Sequence, residues 1–144
     1  MSAQKTVEIG ESTYTVRPRT MIVDAELADH RGEARRIEHD EGMLQVEYHR
    51  TRQALVDAAN AEPYDPAVVA TLADETTVLE ERSEQLAIAR QKATLKMIEV
   101  LLDERPGVEA LMATLDLTLM DEVAVTVGLI PPTALTSESD TATS

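Results

Sequence analysis

The chain has 144 residues, enough for one domain with a thin hydrophobic core. Its net charge of -14 disfavours a nucleic-acid partner, because phosphate binding needs clustered Lys and Arg, and the lack of cysteine excludes disulfides, thiolate metal sites and thiol nucleophiles. Apolar residues make up 43% of the chain but aromatic residues only 2%, so we expect a core of aliphatic side chains.

The first predicted element is a β-hairpin over residues 5–17. Apolar and polar residues alternate on both sides of a turn at Gly10-Glu11-Ser12, and Pro18 stops the second strand because it has no amide to donate. The apolar face of the hairpin is formed by Val7, Ile9, Tyr14 and Val16. A lone hairpin is marginally stable in water, so we expect this hairpin core to be covered by a helix.

A first helical segment is predicted over residues 20–60, with Thr20 as its N-cap. Four apolar residues near its start are expected to pack back on the hairpin: Met21, Ile22, Ala25 and Leu27. The pattern weakens at residues 29–32, where we expect a bend, and resumes from Ile37. Gly42 costs about 1 kcal/mol relative to Ala there without ending the helix.

A long helix is predicted over residues 66–104. Asp65 can cap its first amides, Pro66 fits the first helical position, and Pro106 is expected to end it. Apolar residues recur every seven positions, namely Leu72, Leu79, Leu86, Ala93 and Val100. This stripe favours packing against other helices, and the short connection before it predicts an antiparallel arrangement with the first helix.

Short C-terminal helices are predicted over residues 107–130. The first covers 108–114, and Thr118 with Asp121 forms a capping-box-like pair before the second. Alternating valines make a strand the competing prediction for 123–130. Residues 131–144 are polar and proline-containing, which predicts a disordered, flexible tail. The predicted fold is therefore mostly α: a single domain over 1–130 in which a β-hairpin packs on an antiparallel helical hairpin.

No pattern in the sequence indicates catalysis, a cofactor or a metal. His30, His39 and His49 lie nine and ten residues apart, whereas metal ligands on one helix face are usually three or four apart. Adjacent carboxylates such as Asp40-Glu41 point in different directions around a helix, and nucleotide-binding and nucleophile-elbow motifs are lacking. We therefore expect a protein that is not an enzyme.

Two arginines flank Pro18 and have two interpretations. Arg17 and Arg19 either contact an anion or a partner, or they lie over the hairpin and pair with acids of the first helix, which we favour. The start of the chain lacks a secretory signal pattern, and no apolar run reaches membrane-spanning length. We therefore expect a cytoplasmic protein with no membrane partner.

The segment Thr6–Thr20 resembles the opening of tail assembly chaperones of long-tailed bacteriophages and prophages. Those proteins often begin with a short hairpin carrying a Gly turn, followed by Tyr, an apolar residue, Arg and Thr, and then by acidic helices. The resemblance implies a chaperone in the host cytoplasm that shields the helical tape-measure protein and helps to recruit tail-tube subunits. The candidate partner contacts are Arg17, Arg19, Leu79, Leu86 and Met97. A homo-oligomer, a structural subunit of a phage tail or connector, and a helical-hairpin adaptor or regulator stay open as alternatives.

Overall fold

The structure, a computed structural model, describes residues 4–130 and confirms the predicted mostly helical fold class. In chain order the elements are β1 (Thr6–Ile9), β2 (Ser12–Thr15), α1 (Met21–Ala59), α2 (Pro66–Val100), α3 (Val108–Thr114) and α4 (Leu117–Thr126). The segment for which a flexible tail was predicted, residues 131–144, lies outside the described residues.

The two strands form an antiparallel hairpin in which Val7 faces Tyr14 and Ile9 faces Ser12. Ser12 therefore belongs to β2, and the loop contains two residues rather than the predicted three. Val7 and Ile9 are buried, while Tyr14 and Val16 are half-buried. The cover is supplied by α4, which contacts β1.

The end of α2 differs from the prediction, because the helix stops at Val100 and not at residue 104. The chain turns there and pairs with the end of the hairpin: the Arg17 amide donates to the Leu101 carbonyl at 2.7 Å, and the Asp103 amide donates to the Thr15 carbonyl at 2.9 Å. Val16 and Leu102 are the paired residues between these bonds. Pairing with the hairpin thus provides hydrogen-bond partners for backbone groups that would have bonded within α2 if the helix had continued.

The start of α1 is capped as predicted, since the Val23 amide donates to Thr20 Oγ1 at 3.3 Å. The prediction of which α1 residues pack on the hairpin was partly wrong. Met21 and Ile22 are 89% and 70% exposed and Ala25 is also exposed, whereas Val23 and Leu27 are buried. Val23 and Leu27 lie one turn apart on one face, so that face and not its neighbour enters the core. The predicted bend at 29–32 does not interrupt the helix.

The C-terminal region is helical through Thr126, so the competing strand prediction is wrong for that part. The predicted capping box at Thr118 and Asp121 is also wrong. Asp116 is the N-cap of α4, and its carboxylate accepts from the Leu119 amide at 2.8 Å. The preceding residue, Leu115, is extended, which sets the helix start two residues earlier than expected.

The described residues fall into two compact units. The α/β unit comprises 4–32 and 92–130, and the two-helix unit comprises 33–91, so that α1 and α2 each contribute to both. Among the described residues, all buried apolar side chains except Leu44 and Leu79 belong to the α/β unit. The two units therefore differ strongly in how much apolar surface they bury.

Candidate interaction surface

The two-helix unit is an antiparallel pair formed by residues of α1 and α2. The Tyr48 hydroxyl donates to Glu80 Oε1 at 3.2 Å, and Arg90 Nη1 lies 3.6 Å from Glu41 Oε2. A later residue of α1 thus meets an earlier residue of α2, which is the arrangement predicted from the short connection. Asp65 caps α2 as predicted, since its carboxylate accepts from the Ala67 amide at 3.0 Å.

The core of this unit is small. Leu44 and Leu79 are 6% and 7% exposed, and the other members of the apolar stripes are half-buried: Ile37, Leu55, Leu72 and Leu86. Full burial of one Leu contributes about 1.5–3 kcal/mol relative to an exposed one. Two such residues stabilise a pair of long helices only modestly, so the unit has apolar surface left to bury against something else.

One groove of the unit, which we call the Val78 groove, lies between α1 and α2. It has a volume of about 370 Å³ and is lined by Glu47 and Thr51 of α1 and by Thr71, Asp74, Glu75 and Val78 of α2. Leu79 forms part of its floor. Val78 is 60% exposed, and Met43, one turn before Glu47 on the same side of α1, is 61% exposed.

A second groove, which we call the Tyr48 groove, lies between the same helices. It has a volume of about 300 Å³ and is lined by Gln45 and Tyr48 of α1 and by Glu80, Ser83 and Glu84 of α2. Here two of the polar groups bind each other: the Tyr48 hydroxyl donates to Glu80, and it accepts from Arg52 Nη1 at 3.1 Å. Leu79 lines both grooves and separates them.

The electrostatics of the Val78 groove are acidic. Its carboxylates are Glu47, Asp74 and Glu75, and no basic side chain lines it. Within residues 4–130, none of the three has a hydrogen-bond or ion-pair partner. The groove therefore offers apolar surface flanked by uncompensated negative charge.

The arginines predicted as partner contacts bind other parts of the α/β unit. Arg19 Nε donates to Asp24 Oδ1 at 2.8 Å, as expected for pairing with an acid of the first helix. The contact of Arg17 was not predicted: its Nη1 donates to the Val100 carbonyl at 3.0 Å. A cation at this carbonyl compensates the negative end of α2.

The apolar residues predicted as partner contacts are mostly core. Leu79 is buried in the two-helix unit, Met97 is 8% exposed in the α/β unit, and Leu86 is half-buried. We therefore assign Leu79 and Met97 to packing. Met43 and Val78 were not predicted as partner contacts, although both are large apolar residues that lie off the core stripe of their helix.

The described part of the chain contains no cluster of three or more His, Asp or Glu side chains that could hold a metal ion. None of its helices combines the length and apolarity needed to cross a membrane. Comparison of the chain with protein-family models, with curated proteins and with solved structures gave no match in any of the three.

Proposed function

We propose that the protein is a non-enzymatic assembly chaperone that binds long apolar helices of another protein. The observation that carries this proposal is the imbalance of the two-helix unit, which buries Leu44 and Leu79 but leaves Met43 and Val78, both on the side of the Val78 groove, more than half exposed. An amphipathic helix laid along such a surface would bury these side chains and its own apolar face together.

The resemblance of Thr6–Thr20 to tail assembly chaperones supports a more specific form of the proposal. In that form the partner is a tape-measure protein, tail-tube subunits are recruited to the complex, and the complex forms in the host cytoplasm. The net charge of -14 suits such a role, because strong like charge keeps copies of the chaperone apart while it carries exposed apolar side chains.

The test is co-expression with the tape-measure protein of the same phage or prophage. We expect the chain to raise the soluble yield of that partner, and we expect Val78→Lys to abolish the gain because it places a charge on the exposed groove wall. Val56→Lys is the matched control: Val56 is 47% exposed, lies on α1 and lines neither groove. Raising the salt concentration should weaken the complex without abolishing it, because salt screens exposed charges but leaves apolar burial intact.

Two outcomes would contradict this proposal. One is a partner that stays insoluble on co-expression with the unmodified chain. The other is stoichiometric presence of the chain in finished particles, measured by mass spectrometry of purified virions, which would favour a structural tail or connector subunit. Capture of a cellular partner without any phage protein would favour the adaptor alternative.

A further inference from the structure

The Val78 groove has features that specify the chemistry of its occupant. We propose that it binds a basic amphipathic helix, in which an apolar stripe is flanked on both sides by Lys or Arg. This inference rests on the proposed helix-binding function and adds to it the place of binding and the charge of the partner.

Apolar side chains form part of the wall and of the floor of the Val78 groove. Val78 is 60% exposed on the wall, Leu79 forms part of the floor, and Met43 extends the apolar surface by one turn of α1. Along α2 the lining runs from Thr71 to Val78, a rise of about 10 Å, which accommodates roughly two turns of an occupying helix. Two turns present two or three apolar side chains on one face.

Carboxylates stand on both walls of the Val78 groove. Glu47 stands on the α1 wall, and Asp74 and Glu75 stand on the α2 wall, so negative charge borders the groove on both sides. An acidic or neutral helix placed between them would desolvate these carboxylates without compensating them. A helix with cations on both edges of its apolar stripe would pair with them, and it would be selected by that complementarity.

The Tyr48 groove provides the contrast. There Glu80 already accepts a hydrogen bond from Tyr48, and both carboxylates of that groove, Glu80 and Glu84, stand on α2, so negative charge borders it on one side only. Val78, the exposed apolar side chain of the first groove, does not line the second. The Val78 groove is therefore the better match to an amphipathic ligand.

The experiment uses the full chain and a fluorescein-labelled helical peptide of Leu and Lys in heptad pattern, with fluorescence anisotropy as the readout. Glu75→Lys should raise the Kd for this peptide by roughly tenfold or more. Glu84→Lys is the matched control, because it lies on the same helix, lines only the Tyr48 groove and changes the net charge equally. We expect it to change the Kd by no more than about twofold, a screened long-range effect.

Equal weakening by Glu75→Lys and Glu84→Lys would overturn the proposal, because the peptide would then respond to net charge alone. Equal binding of a second labelled peptide, in which Glu replaces every Lys of the first, would overturn it too. Circular dichroism of both variants shows whether they remain folded, and Val78→Ser, which leaves the charge unchanged, should also weaken binding. If Glu75→Lys and Val78→Ser leave peptide binding unchanged while co-expression still solubilises the tape-measure protein, the proposed function stands and the Val78 groove is not its site.

Discussion

Two glycines of the chain differ in backbone conformation: Gly10 lies in a turn and Gly42 lies inside a helix. Gly10 has φ +63° in the hairpin loop, a conformation that costs L-residues free energy, and a Cβ added there would lie 2.8 Å from Thr114 Cγ2. Gly42 lies inside α1 with open space around the position of its missing Cβ. The first glycine is required by the turn, whereas the second only weakens a helix.

Alanine at these two positions should therefore have effects of opposite sign. Gly10→Ala should lower the free energy of unfolding by about 1–2 kcal/mol, since Ala must adopt the left-handed conformation. Gly42→Ala should raise it by about 0.5–1 kcal/mol, since Ala is the better helix former. Urea unfolding followed by circular dichroism measures both changes, and a shift of the same sign for the two variants would contradict the backbone assignment.

Some helix N-caps of this chain could be predicted from the sequence and one could not. Thr20 and Asp65 were predictable because each directly precedes a clear helical pattern. Asp116 was not, because the sequence offers a second cap candidate at Thr118 and either one could start a helix. The choice is made by the extended conformation of Leu115 at the end of α3, which no local pattern specifies.

The helix α2 changes its environment along its length. In the two-helix unit only Leu79 is buried, whereas five residues near the C-terminal end are: Ala93, Leu95, Met97, Ile98 and Val100. The seven-residue repeat predicted the inward face correctly, since it includes Leu79, Ala93 and Val100. It could not predict the end of the helix, which is set by pairing of Leu101–Asp103 with Thr15–Arg17.

Adjacent positions on α2 distinguish its core face from its exposed face. Leu79→Asp should destabilise the two-helix unit by several kcal/mol, because a carboxylate would be buried without a partner. Val78→Asp should lower stability by no more than about 1 kcal/mol, because that side chain is 60% exposed and the new carboxylate adds only modest repulsion from Asp74 and Glu75. Thermal unfolding monitored by circular dichroism compares the two, and equal losses of stability would show that Val78 is also part of a core.

At the scale of the whole molecule, the two compact units have different balances of buried and exposed apolar surface. The α/β unit buries most of the aliphatic core, whereas the two-helix unit buries only Leu44 and Leu79, and both units keep some large apolar side chains in contact with solvent. Regions with few buried contacts have low local stability and are the ones that binding can order. We infer that the α/β unit supplies stability and the two-helix unit supplies binding.

The candidate site was less predictable than the fold. Composition and periodicity predicted the hairpin and an aliphatic core, and the short connection between the two helices predicted their antiparallel arrangement, because each of these depends on patterns that are local in the chain. The Val78 groove combines Glu47 of α1 with Asp74 and Glu75 of α2, and that combination depends on the register of two helices. The local signal was a large apolar residue beside the core stripe, as at Val78, and such a residue is also common on ordinary surfaces.

Amide hydrogen exchange of the full chain, with and without a purified helical segment of the tape-measure protein, tests the central claim most directly. We expect the segment to slow exchange in residues 43–51 and 71–79, which carry the walls of the Val78 groove. Slower exchange confined to residues 4–32 and 92–130, or no change anywhere, would contradict the claim that the two-helix unit is the binding part of this protein.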